Sequence, residues 1–206
     1  MPKPIFDEGK GSDAVAVAQG IHLADGISHK TVARIHKFLD PTGMIDKLSR
    51  FGVPIEVLKR SFADQYLGSV EFDSGEPDGN LCLNSGIQAF EGLLSGISSP
   101  TAWNNAHAYL GVGDSTTAAA ATQTDLQAST NYTYVGMVAS YPSQSGQTIT
   151  WQASFGSGSA NYAWNEFVVS NASSKGSGTC INRLVSAQGT KTSGQTWVLS
   201  LSITWS

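Results

Sequence analysis

The amino-acid sequence predicts a mainly β protein: an antiparallel β-sandwich with one packed helix, preceded by an extended N-terminal arm and short helices. Three observations lead there. In the closing run, Trp197, Leu199, Leu201, Ile203 and Trp205 share one parity while Thr196, Ser200, Ser202, Thr204 and Ser206 share the other, the two-residue period of a half-buried strand. Val198 is the one misfit. The stretch from Leu126 to Ser206 holds only four charged side chains, Glu166, Lys175, Arg183 and Lys191, among alternating apolar and polar runs. Turn-forming stretches separate those runs: Tyr141-Pro-Ser-Gln-Ser-Gly146, Gly156-Ser-Gly-Ser159, Asn171-Ala-Ser-Ser-Lys-Gly-Ser-Gly178 and Thr192-Ser-Gly194. Short strands punctuated in this way suit a sandwich.

Taken in order, residues 1–27 read as an arm. Pro2, Pro4, Gly9, Gly11, Gly20 and Gly26 interrupt every apolar run, so the segment is expected to be ordered by lying on a neighbour. Ser28 is placed to cap a short helix with Val32, Ile35 and Leu39 on one face, stopped at Asp40-Pro41. Thr42 and Pro54 start two more helical turns, with Ile45, Leu48 and Phe51 on the first and Ile55, Leu58 and Phe62 on the second. Glu71 to Asn80 is an acidic, turn-rich linker. Asn84 or Ser85 then caps an amphipathic helix carrying Ile87, Phe90, Leu93 and Leu94, closed by Gly96. Strands are predicted over 106–112, 132–139, 148–155, 162–169 and 180–185, besides the closing run. The chain thus divides into an arm (1–27), short helices with the acidic linker (28–79) and a β-sandwich domain (80–206).

Charge is segmental. Residues 1–60 hold nine of the twelve Lys and Arg against seven acids, residues 61–125 hold eight acids and no base, and the remainder holds three bases and one acid. A pI near 5.5 with no basic stripe beyond residue 60 argues against nucleic-acid binding. No stretch approaches the ~18 consecutive apolar residues of a membrane span, and the first twenty residues lack the pattern of a signal peptide. Synthesis in a cytoplasm with no membrane association is therefore expected. Cys82 and Cys180, far apart in sequence, are read as free thiols.

Candidate chemistry does not assemble. His22, His29 and His36 recur every seven residues, but two helical turns separate such positions by ~10 Å, too far for one ion. Gly111-Val-Gly113-Asp114-Ser115 contains a Gly-Asp-Ser, yet no histidine follows His107 to serve Ser115 as a base. Glu71, Asp73, Glu76 and Asp78 could supply oxygen ligands to calcium, but their spacing is not that of a helix-loop-helix site and Pro77 stiffens the run. Glu166 has no second carboxylate in the strand-rich region for glycoside cleavage. The glycosylation sequons at Asn131 and Asn171 carry little weight without a secretion signal. The expectation is a non-enzymatic protein with no catalytic, cofactor-binding or metal-ligating residues.

One set of motifs points to a family. Asn80-Leu-Cys-Leu-Asn84-Ser-Gly86-Ile-Gln, then Ala106-His-Ala-Tyr-Leu-Gly-Val-Gly-Asp-Ser-Thr-Thr117, then Thr122-Gln-Thr-Asp-Leu126, resembles small virion proteins of tailed bacteriophages. Ala160-Asn-Tyr-Ala-Trp-Asn-Glu-Phe-Val-Val-Ser-Asn171, with Ile181-Asn-Arg183 and Gly189-Thr-Lys191, is similar to the strands of tail-collar-fibre-like β-domains, departing from them at Phe167-Val-Val. The resemblance covers roughly 80–206 and implies a structural protein of the virion, most simply a capsid decoration or cement subunit. It would be a homo-oligomer whose partners are other virion proteins, the major capsid protein or tail and collar proteins. A tail, collar or head-fibre adaptor is the alternative within that class. A carbohydrate-binding host-attachment module is a third reading, with Tyr132, Tyr134, Tyr162 and Trp164 as the stacking residues.

Overall fold

The structure, a computed structural model, describes residues 29–73 and 80–205. The closing alternation builds β10 (Gln195–Trp205), the central strand of one sheet. β1 (His29–Leu39) pairs with it along one side and β7 (Thr148–Phe155) along the other. Edge strands β2 (Tyr66–Asp73) and β6 (Ser143–Ser145) complete the order β2-β1-β10-β7-β6. The second sheet runs β3-β9-β8-β4-β5, formed by β3 (Asn80–Cys82), β9 (Cys180–Val185), β8 (Glu166–Ser170), β4 (Tyr109–Gly113) and β5 (Tyr132–Gly136). Every strand pair is antiparallel.

The inner faces meet as the alternation requires. Trp197, Leu199, Leu201 and Ile203 of β10 and Trp151, Ala153 and Phe155 of β7 pack against Leu110, Val112, Phe167, Val169 and Leu184 of the other sheet. Trp164 sits in the centre, edge-on to Phe155 and to Trp197 with ring centroids 4.8 Å away in each case. Such edge-to-face contacts add to the area the rings bury.

Val198 has a physical role. It points out of the sandwich, and two short helices, α1 (Met44–Arg50) and α2 (Ile55–Ser61), close over it to make a second small core with Phe38, Ile45 and Leu58. Asp40 fastens this lid. Its Oδ2 accepts from Thr196 Oγ1 at 2.8 Å and from the Asp46 amide at 3.0 Å, linking β10 to the first turn of α1. The helices start near the predicted points, but Phe51 lies outside the lid, 81 % exposed.

Residues 29–39 depart from the helix expected after Ser28. They form strand β1, in which Thr31, Ala33 and Ile35 face the core and Arg34 and His36 the opposite side. The helical stripe Val32, Ile35 and Leu39 is thereby split between faces. An eleven-residue ladder with β10 and the β-branched Thr31, Val32 and Ile35 outweigh the local helical spacing. The sandwich accordingly begins at His29 rather than at residue 80, and β1 and β2 belong to its first sheet. Glu71 and Asp73, expected in a linker, lie in β2 and form ion pairs with Arg34 and Lys30. The predicted arm, His22, and Glu76 and Asp78 fall outside the described residues.

Other differences are local. The amphipathic helix, α3 (Asn84–Ser95), is closed by left-handed Gly96 as predicted, but Leu83 occupies the capping position and no side chain caps it. β4 starts later than expected because Asn104 Oδ1 accepts from the amides of Ala106 and His107, closing a turn. β8 starts at Glu166 because residues 162–164 are tied elsewhere: Trp164 N–H donates to Gly189 O at 2.9 Å and Lys191 N–H to Tyr162 O at 3.1 Å. The wholly buried Lys191 ammonium donates to Gly156 O, Ser159 O and Asn161 Oδ1 at 2.8–3.0 Å, and burial pulls its pKa down to about 8.

The two parities of β10 make a direct comparison. Leu201→Ala should destabilise the protein by about 2–5 kcal/mol, the cost of a large-to-small change in a packed core. Ser202→Ala loses one hydrogen bond to Thr150, 2.8 Å long and half-exposed, and should cost within about 0.5 kcal/mol. Urea melts giving equal losses would refute this arrangement of faces.

Candidate interaction surface

α3 stands against the edge of the second sheet because Gly86 lets it. A Cβ there would lie 2.6 Å from Cys180 O and 2.7 Å from Ile181 Cα, so only glycine allows the helix this close to β9. The contact is made with small residues, and the helix's large side chains are left turned away. Ile87, Phe90, Leu93 and Leu94 are all substantially exposed, and Ile97 follows them just beyond the C-terminus. The expected amphipathic helix is present, but most of its apolar stripe faces away from the sandwich core.

Between α3 and the end of the sandwich runs an apolar groove of about 700 Å³. Phe90 forms one wall and stacks on Trp205, with ring centroids 6.1 Å apart and planes 7° from parallel. Trp103, Trp151, Ile149 and Ile181 supply most of the remaining surface. Both inner tryptophans are anchored: Trp151 Nε1 donates to Trp103 O at 3.2 Å and Trp103 Nε1 to Thr179 O at 3.1 Å. Glu91 is the single charged residue of α3, and burial lowers the pKa of His29, which also lines the groove, keeping its ring neutral. Leu94, which also lines the groove, and Ile97, three residues on, form an apolar ridge, 81 % and 89 % exposed. Contiguous apolar surface of this kind, rimmed by polar residues, marks sites of association.

The Gly-Val-Gly-Asp-Ser block is built into the scaffold. Val112 faces the core, while Gly111 and Gly113 lie on the outer face of β4 beneath larger neighbours. A Cβ on Gly111 would come within 2.7 Å of both Tyr134 and Val168, and one on Gly113 would collide with the Glu166 carboxylate. Glu166 and Arg183, neither with any exposed side-chain surface, form an ion pair at 2.8 Å. Glu166 also accepts from the amides of Gln127 and Ala128, and Arg183 donates to Gln123 Oε1 and Thr117 O. The pair thus holds the irregular segment between β4 and β5 against the outside of the second sheet. Asp125 adds a second fastening, accepting from the Gly176 amide at 2.8 Å, from Cys180 Sγ and from the Tyr134 hydroxyl, whose pKa burial and this carboxylate drive far up.

The other sequence candidates are dispersed. His29 and His36 lie on opposite faces of β1, and no group of three or more His, Cys, Asp or Glu among the described residues is arranged to hold a metal ion. Ser115 Oγ donates to Thr117 Oγ1 while the His107 ring bonds to Asn104, so the two do not meet. Trp164 is completely enclosed and offers no face to a sugar ring. Tyr162 donates to Thr133 Oγ1 and Val112 O, Tyr134 is taken up by Asp125, and only Tyr132 is exposed, with the Lys175 ammonium 5.3 Å from its ring centre. The expected aromatic platform is therefore not assembled. Cys82 and Cys180 are free thiols, both with pKa raised by burial. Sequence reasoning missed the groove, although five tryptophans in a chain of this size were a signal for it. Trp164 and Trp197 serve the central core, while Trp103, Trp151 and Trp205 also line the groove. No protein-family model, curated protein or solved structure matches the chain.

Two measurements probe this scaffold. Arg183→Met leaves the Glu166 carboxylate buried without its counter-ion and should cost about 3–5 kcal/mol in urea melts; a loss below about 1 kcal/mol would show that the pair is not holding the loop. The second concerns His36, whose pKa is held down to about 4 by burial first and then by the Lys59 and Arg34 cations. As pH falls from about 6.5 toward 4, the unfolded chain takes up a proton at this ring that the folded protein refuses, so stability is lost across that window. His36→Gln should flatten the stability–pH curve there relative to the parent, and identical slopes would exclude His36 as the source.

Proposed function

We propose that this chain is a non-enzymatic structural subunit of a tailed-phage virion, a capsid decoration subunit that works as a homo-oligomer. The observation that carries the reading is the apolar ridge of Leu94 and Ile97 set beside the groove of Phe90, Trp103, Trp151 and Trp205. A convex and a concave apolar surface side by side on one molecule are self-complementary: a second copy related by a two-fold axis can set its ridge in the groove of the first while receiving the other's in return. The near absence of charge on α3 favours such a contact, since like charges would otherwise face each other across the axis. The sparsely charged stretch after residue 126 suits a subunit crowded by neighbours. The motif resemblance over 80–126 and 160–191 supplies the virion context. A tail, collar or head-fibre adaptor would use the same surface and differ in copy number.

Replacing Leu94 and Ile97 together by Glu should leave a folded monomer in sedimentation equilibrium where the parent chain self-associates; a parent that stays monomeric at high concentration overturns the proposed contact. Mass spectrometry of capsids stripped of tails tests the location. Tens to hundreds of copies per particle fit decoration, roughly three to twelve fit an adaptor, and absence from the whole virion sinks the structural reading.

A further inference from the structure

The outer face of the first sheet carries a second depression that the docking surface does not use. The α1–α2 turn with the first residues of α2 (52–56) and the segment 139–141 rise on either side of a groove of about 550 Å³. Its floor is the outward row of three strands: Arg34 and His36 of β1, Ser200 and Ser202 of β10, Thr150 and Gln152 of β7. The walls are tied to each other and to the body. The Ala139 amide donates to Arg50 O at 3.1 Å, Asn105 Nδ2 donates to Val138 O and Tyr141 O, and Ser140 is held at φ +70°, a conformation that non-glycine residues rarely adopt.

The floor is fixed in advance. Thr150 pairs with Ser202 at 2.8 Å, Gln152 Nε2 donates to Ser200 Oγ at 2.7 Å, and His36 Nδ1 lies 3.2 Å from the Tyr66 hydroxyl. His36 and Gln152 are each more than nine-tenths buried. Their remaining polar atoms, His36 Nε2 and Gln152 Oε1, have no hydrogen-bond partner among the described residues, and both side chains line the groove. Neither atom is sealed from solvent, so a ligand in the groove can replace water as its partner. The charge balance narrows the ligand. The Arg34 guanidinium is paired with Glu71 and Glu56 with Lys59, so the groove presents no surplus charge to select an ion. Hydroxyls and a neutral imidazole can donate or accept and the Gln152 amide oxygen accepts, while Val53, Pro54 and Tyr141 offer apolar wall for C–H faces.

We propose that this groove binds a neutral saccharide of one or two rings. Its volume falls within the roughly 300–1,000 Å³ typical of small-molecule sites, and its rigidity limits the ordering cost of binding. The site is separate from the α3 contact and does not depend on it, so either can fail alone.

The test is an NMR titration of the full chain, following backbone amides, with glucose, galactose, N-acetylglucosamine, maltose and lactose carried into the millimolar range, and inorganic phosphate as the anionic comparison. The expected result is saturable shifts for at least one sugar, centred on Gly52, Val53, Ser140 and Tyr141, and none for phosphate. No saturable shift with any of the five sugars overturns the proposal, as does phosphate binding in their place or sugar shifts centred on α3. Gln152→Leu, which keeps the bulk and removes the amide, should weaken the responding sugar at least about tenfold, a difference of about 1.4 kcal/mol. If that variant does not fold, Tyr141→Ala on the wall should show a loss of the same order. Unchanged affinity in whichever folded variant is measured overturns the assignment.

Discussion

The pairing of β10 between β1 and β7 is the constraint on which the rest of the molecule depends. Its inward residues close the sandwich core, and its outward Val198 is the floor on which α1 and α2 pack. Farther along the same outward row, Ser200 and Ser202 form the base of the polar groove, while at the end of the inward row Trp205 stacks on Phe90 to shape the apolar one. One strand therefore places the core and both surface depressions in fixed relation. A register slip of a single residue would turn each of these side chains to the wrong face.

The second sheet is covered in a different way. Among the described residues its outer face carries no helix comparable to α1 and α2; the irregular segment after β4 lies over it, fastened by Glu166, Arg183 and Asp125. An ion pair removed from water contributes little net stability against apolar packing, but breaking it is expensive. What it supplies here is position. The carboxylate and the guanidinium together engage four points along a segment without regular hydrogen bonding, and Gly113 leaves the space through which the carboxylate reaches them. This assigns the glycines of the Gly-Val-Gly block to close packing.

Where local period and tertiary environment agree, the sequence is readable. β7 and, Val198 aside, β10 alternate against a single core, and α3 ends at Gly96 for a reason that the chain states locally. β1 was not legible because it is covered on both faces, so its apolar residues fall on both parities and mimic helical spacing. Val198 looked like an error for the same reason. The partners of Glu166 and Arg183 lie tens of residues away, and no spacing rule connects them. The candidate surfaces were the least legible. Phe90 belongs to an apolar stripe expected to pack inward, whereas Gly86 makes the helix's close contact with β9, and the floor of the polar groove includes serines, a threonine and a glutamine whose pattern is that of any solvated strand face.

The pairing of β1 with β10 also has a consequence for how the protein is made. The Thr196–Asp40 hydrogen bond joins residues 156 positions apart, and the whole β1–β10 ladder has separations of that order. During synthesis β1 and β7 leave the ribosome well before the strand that belongs between them. Until β10 arrives, each has an unpaired edge and an uncovered apolar face, the state in which strands most readily join the wrong partner. The sparse charge of the later chain gives little protection over that interval. The hazard therefore lies in the moments before β10 inserts, when neighbouring nascent chains can offer the wrong edge.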